Sequence, residues 1–138
     1  MVPNGYELKG LESKELSYRL MGILFDVHNT MGGGYQEKYY QKAIKLSLIE
    51  GKIPFLEQVR ADLIIKGQTI GRYYIDFVID HKIVLEIKSR LNFSKRDVAQ
   101  VLGYLRQSNL DLGILASFST DGLKYKRLLR GFGNKFGN

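Results

Sequence analysis

Apolar side chains recur along this chain with two different periods, and the change of period marks out its architecture. Leu16, Leu20, Ile23, Leu24, Val27 and Met31 return every three or four positions, which predicts an amphipathic helix over residues 12–31. Residues 1–11, with Pro3, Gly5 and Gly10, read as an irregular lead-in. Gly32-Gly33-Gly34 breaks the pattern. A second helix is expected over 35–50, with Tyr40, Ala43, Ile44 and Ser47 on one stripe and Gly51 as its stop. The period then shortens. Residues 55–65 and 71–79 are rich in β-branched and aromatic side chains, and 83–88 is almost continuously apolar. Gly67 and Asp80-His81-Lys82 supply the turns of a three-strand meander. Ser94 and Asp97 form a capping box that opens a helix over 95–108. Residues 112–118 read as a further strand, while 124–129 fits either a strand or a helix. The order α-α-β-β-β-α-β implies one α/β domain with a core over about 12–130. Its mixed sheet is flanked by helices, and 131–138 is an irregular or mobile tail.

Composition narrows what this domain can do. A chain of 138 residues suits a single domain and buries a core without staples. Its content, 44% hydrophobic and 25% charged, is that of a folded protein. With no cysteine, a disulfide scaffold, a cysteine nucleophile, a zinc finger and an iron–sulfur site are excluded. No apolar run approaches the length of a membrane span, and the first residues lack a signal-peptide layout, so a cytoplasmic protein is the expectation. The 21 Lys and Arg exceed the 14 Asp and Glu by 7, which favours an anionic partner, nucleic acid first. Lys82, Lys88, Arg90, Lys95 and Arg96 concentrate over 82–96 against Glu86 alone. Lys82, Arg90, Lys95 and Arg96 are the candidate phosphate contacts.

The strands over 71–79 and 83–88 carry the candidate chemistry. Side chains alternate along a strand, so Glu86 and Lys88 share one face. A hairpin turning about His81 sets Asp76 opposite Glu86, with Cβ atoms roughly 4.5–5.5 Å apart. Two carboxylates that close repel unless a cation or a proton lies between them. They suit Mg²⁺, a hard ion that combines a few carboxylates with water and phosphate oxygens, and Mn²⁺ is expected to substitute. Such an ion activates a phosphodiester, and Lys88 beside it can orient the attacking water. The plainer alternative makes Glu86 and Lys88 a solvated pair and Asp76 a surface acid near the turn.

Asp76…Glu86-Ile87-Lys88 resembles the signature of the PD-(D/E)xK nuclease superfamily. Gly34-Tyr35-Gln36-Glu37-Lys38-Tyr39-Tyr40 is similar to G-x-x-E-x-x-Y, the motif of the GxxExxY family within it. Val27-His28 before a glycine turn, Ala99-Gln100-Val101-Leu102-Gly103-Tyr104-Leu105 and Leu112-Gly113-Ile114-Leu115 resemble further family segments in the same order. The resemblance covers about 16–130 and implies a restriction-endonuclease-like core, a divalent metal and DNA as substrate. It implies catalytic roles for Asp76, Glu86, Lys88, Glu37, Gln100 and Tyr104. The metal would be held by Asp76, Glu86, Glu37 and the Ile87 carbonyl, with His28 a minor candidate by analogy to RecB-type nuclease domains. Archaeal Holliday-junction resolvases, similar in layout, suggest a homodimer. By position alone Glu37 serves equally well as a capping glutamate, and His28 as a packing histidine. The chain departs from the family at Tyr74, where arginine is usual, and at Ser117-Phe118-Ser119, where Asn-Phe-Gly is usual.

Three functions compete at this stage. A Mg²⁺-dependent DNA nuclease leads. A catalytically inactive nucleic-acid-binding module on the same fold follows, and a protein-interaction domain comes third.

Overall fold

The turn residues dictate the connections of the sheet. Lys66 and Gly67, both at positive φ, close a tight hairpin between β1 (Phe55–Ile65) and β2 (Gln68–Ile79). Asp80 and His81, also left-handed, turn β2 into β3 (Ile83–Lys88). The computed structural model describes residues 5–131, with side chains from Ser13 onward. The helices are α1 (Gly5–Met31), α2 (Glu37–Glu50) and α3 (Lys95–Ser108). Two more strands, β4 (Leu112–Ser119) and β5 (Gly122–Leu129), complete a five-stranded sheet in the order β1-β2-β3-β4-β5. All pairings are antiparallel except β3 with β4, which α3 joins as the crossover.

The sheet separates two cores. Leu20 and Leu24 of α1 and Ile44 and Leu48 of α2 pack on one face against Phe77, Leu85, Ile87 and Phe118. On the other face, Val98, Val101, Leu102 and Leu105 of α3 cover Val78, Val84 and Leu115. Central β3 is therefore buried on both sides, which explains its unbroken apolar run. Gly113 permits close packing of α3, because a Cβ there would lie 2.5 Å from Val101 Cγ1. Gly33 is needed for a similar reason: a Cβ would collide with the backbone of Ser119 and Thr120.

The expected order of elements is present, with three adjustments. Residues 124–129, open between strand and helix, lie in strand β5. Helix α1 starts at Gly5, so residues 5–11 are helical and not an irregular lead-in. Beyond Pro3 that segment holds good helix formers, and its glycines lower the propensity without breaking the helix. Residues 1–4 and 132–138 lie outside the described part. Helix α2 starts at Glu37 with Gln36 as N-cap, two residues later than the apolar stripe suggested. The Tyr40 hydroxyl explains the delay: it accepts from the Tyr35 amide (3.3 Å) and donates to the Gly32 carbonyl (2.6 Å), tying the glycine turn down. Among the described residues no helix is long and apolar enough to cross a membrane.

Candidate active site

The β2–β3 ladder runs from Ile79↔Ile83 through Val78↔Val84 to Phe77↔Leu85. That is the register of a turn about His81, and it brings Asp76 beside Glu86. At this point the side chains take over the ladder. The Asp76 amide donates to Glu86 Oε1 at 2.9 Å, and the Ile87 amide donates to Asp76 Oδ2 at 2.7 Å. Each carboxylate thus stands where a strand carbonyl would. Both residues are buried, Asp76 to 8% and Glu86 to 4% exposure, so neither is a solvated surface acid.

Two glutamines hold the other oxygen of Asp76. Gln41, one turn after Glu37 on α2, donates from Nε2 to Oδ1 at 2.9 Å. Gln58 reaches the same oxygen at 3.5 Å. Its backbone has φ 51°, and the paired rungs Glu57↔Phe77 and Val59↔Ile75 straddle it. Left-handed φ inside a strand is a strained state for a glutamine, of the kind stored at functional sites.

Lys88 bridges two acids. Its Nζ lies 3.7 Å from Glu86 Oε2 and 3.7 Å from Asp97 Oδ1. Asp97 completes the capping box of α3 with Ser94, and Arg90 Nη2 donates to both its carboxylate oxygens at 2.7 Å. Ser117 steadies the loop after Lys88, since its hydroxyl accepts from the Arg90 amide and donates to the Arg90 carbonyl. With Arg90 on Asp97 and Lys88 shared, the inner pair Asp76/Glu86 is short of positive charge.

Protonation reflects that shortage. Burial raises the pKa of Asp76, against the Ile87 amide and other hydrogen bonds that favour its charge. Burial, then the Asp76 charge, pushes Glu86 up to about 8. Both shifts run the same way, so the pair binds protons more readily than free carboxyl groups do. A buried acid pair that resorts to sharing a proton is what a hard divalent cation would replace.

Gln100 lines a cavity of about 470 Å³ with Lys88, Arg90, Ser94, Arg96 and Asp97. Its carbonyl accepts from the Tyr73 hydroxyl at 2.7 Å. The Tyr73 pKa is raised by burial and then by the Glu86 charge. Tyr73 and Tyr104 both pack against the α3 core, and burial raises the Tyr104 pKa too.

Other expected site residues are not brought together. Among the described residues no group of three or more His, Asp and Glu side chains is gathered to hold a metal, so Glu37 does not join the pair. It sits in the first turn of α2 and lines a second cavity, of about 800 Å³. His28 Nε2 lies 3.0 Å from the Ser119 carbonyl and its ring packs on Phe118, a helix-end role. Lys82 donates to Asp80 at the turn, about 20 Å from Lys88 by strand rise, so it does not flank the acids. Lys95 and Arg96 are exposed on the first turn of α3.

Gln41, Gln58, Tyr73 and the pairing role of Asp97 escaped the sequence. Gln41 carried a faint signal, sharing a helix face with Glu37 one turn away. Gln58 and Tyr73 carried none, since strand pairing and strain alone bring them in.

A family model described as the PD-(D/E)XK nuclease superfamily matches residues 14–128. Three chains among solved structures also match. One, described as "Crystal structure of SSO0001", superposes with a TM-score of 0.52 at 18% sequence identity, over 72% of this chain and 52% of that one. At that identity the likeness is one of fold, and this chain spans about half the length of that protein, 52%. No curated protein matches the chain.

Proposed function

This chain belongs to the PD-(D/E)XK nuclease superfamily, and from that premise we propose that it is a Mg²⁺-dependent nuclease of the GxxExxY type that hydrolyses phosphodiester bonds in DNA. The observation that carries the proposal is the convergence of Asp76, Glu86 and Lys88, with the two acids buried, adjacent and short of positive charge. Asp76, Glu86 and the Ile87 carbonyl would hold the ion; Glu37 and His28 are left out of the set. When bound, such an ion neutralises phosphate charge and lowers the pKa of water. Mn²⁺ would serve in its place.

The chain's own residues do the rest. Gln41 and Gln58 fix the rotation of the Asp76 carboxylate through Oδ1. Lys88, held between Glu86 and Asp97, presents its ammonium where a water can be oriented and developing phosphoryl charge offset. Gln100 lines the same cavity and its carbonyl receives the Tyr73 hydroxyl, and Tyr104 would support that arrangement from the α3 core. Arg90 and Arg96 line the cavity, Lys95 adjoins them on the first turn of α3, and the three would grip the phosphate backbone without reading bases.

The test is a cleavage screen with Mg²⁺ and Mn²⁺ over linear, circular, single-stranded and four-way DNA. Cleavage that needs the metal and disappears in Asp76→Ala, Glu86→Ala and Lys88→Ala is expected. A folded, metal-binding protein that cuts none of these substrates would leave only a binding module on the same fold.

A further inference from the structure

We infer that the second cavity is a pocket for one unpaired nucleobase, set beside the cleavage site so that the preferred substrate is single-stranded or frayed DNA. The inference deepens the nuclease reading and rests on it for the identity of the strand. The cavity, of about 800 Å³, has the size of a small-ligand site. Its wall includes Tyr35, Glu37, Lys38, Arg90, Phe118 and Asp121.

Each part suits a base better than a phosphate. Tyr35 is 49% exposed yet braced, with Tyr39 and Tyr40 against it in near-perpendicular contacts at 6.5 and 6.0 Å. A held, half-exposed ring is a stacking surface for any base. Phe118, fully buried and stacked on Tyr40 at 4.5 Å, backs this brace from the core. Glu37 and Asp121 would repel a phosphate, but they accept hydrogen bonds from the amino groups of adenine, cytosine or guanine. Lys38 and Arg90 supply positive charge for the flanking phosphates.

The cavity is also tied to the site. The Ser89 hydroxyl, next to Lys88, donates to the Tyr35 carbonyl. Arg90 lines both this cavity and the one that holds Lys88 and Gln100. A strand with a phosphate at Lys88 therefore passes the mouth of the Tyr35 cavity. A base stacked within a duplex cannot turn into such a concavity, so the base that enters must be unpaired.

The test uses a short single strand carrying 2-aminopurine, titrated with the full chain in EDTA. Quenching on binding is expected, with affinity about tenfold lower in Tyr35→Ala and retained in Tyr35→Phe, which keeps the ring. The same sequence as a blunt duplex is expected to bind more weakly and without added quenching. Equal affinity of wild type and Tyr35→Ala, or of strand and duplex, would overturn the inference. Since no metal is present, its failure is separate from that of the nuclease: Tyr35-dependent binding without cleavage of any DNA sinks only the nuclease reading. Metal-dependent cleavage of blunt duplex unaffected by Tyr35→Ala sinks only the base pocket.

Discussion

Gln58 and Glu86 sit on either side of Asp76, and each holds a state its residue type ordinarily avoids. Gln58 is left-handed inside a strand, a conformation that costs an L residue about 1–2 kcal/mol. Gln58→Gly relieves that strain and removes the amide from Asp76. The variant is expected to match or exceed wild type in chemical denaturation and to bind Mn²⁺ more weakly by calorimetry. Glu86 holds its proton to about pH 8 when folded, against an ordinary value of 4.5. The folded state thus binds more protons than the unfolded one, and stability falls as pH rises from 4.5 through about 8. Urea titrations in EDTA across that range should show the decline, and Glu86→Gln should flatten most of it. Asp76, raised in the same direction, leaves a residual slope of the same sign. Truncating Lys88 to alanine should lower the cleavage rate by about 100-fold or more.

At the scale of elements, helix α3 both caps itself and positions Lys88, because Asp97 serves the capping box and the lysine together. Ser94→Ala removes one capping bond, and a loss of about 1 kcal/mol in thermal unfolding is expected. Asp97→Asn keeps a capping acceptor but removes a charge from Lys88 and Arg90, so activity should fall more than stability. These elements were legible in the sequence to different degrees. Helix α3 was fully legible, since Ser94, Asp97 and the apolar repeat are local signals. The facing of Asp76 and Glu86 was legible because a turn at His81 fixes the register. The start of α2 was not, because the Tyr40 hydroxyl holding Gly32 and Tyr35 is a tertiary tie that periodicity does not carry. The same shift moves Glu37 from the third helical position to the first. Helix α1 misled in the opposite way: glycines at 5 and 10 look like breakers, yet the helix runs through them.

For the molecule as a whole, the excess of 7 positive charges becomes meaningful only through its distribution. Arg90 is paired with Asp97, and Lys82 sits at the far turn, which leaves Arg96, lining the Lys88 cavity, and Lys95 beside it on the first turn of α3 as the exposed cations of this region. Each should contribute about one unit to the slope of log affinity against log salt. Lys95→Ala and Arg96→Ala, measured by DNA binding across a salt series, are expected to lower the slope and to weaken all sequences alike. Glycine sets the packing distances that hold this arrangement: Gly33→Ala forces the turn away from Ser119 and Thr120 and is expected to destabilise by about 1–3 kcal/mol.

The two acids are also rungs of the sheet, and this gives the fold a built-in reporter. The amides of Asp76 and Ile87 end on the carboxylates proposed as ligands. Any occupant that draws charge from those oxygens weakens the two hydrogen bonds at once. In a two-dimensional nitrogen–proton NMR spectrum, these two amide peaks should move upfield on titration with Mg²⁺ while those of Val78 and Val84, two rungs deeper, stay nearly still. The backbone would then signal occupancy of the site without any substrate being turned over.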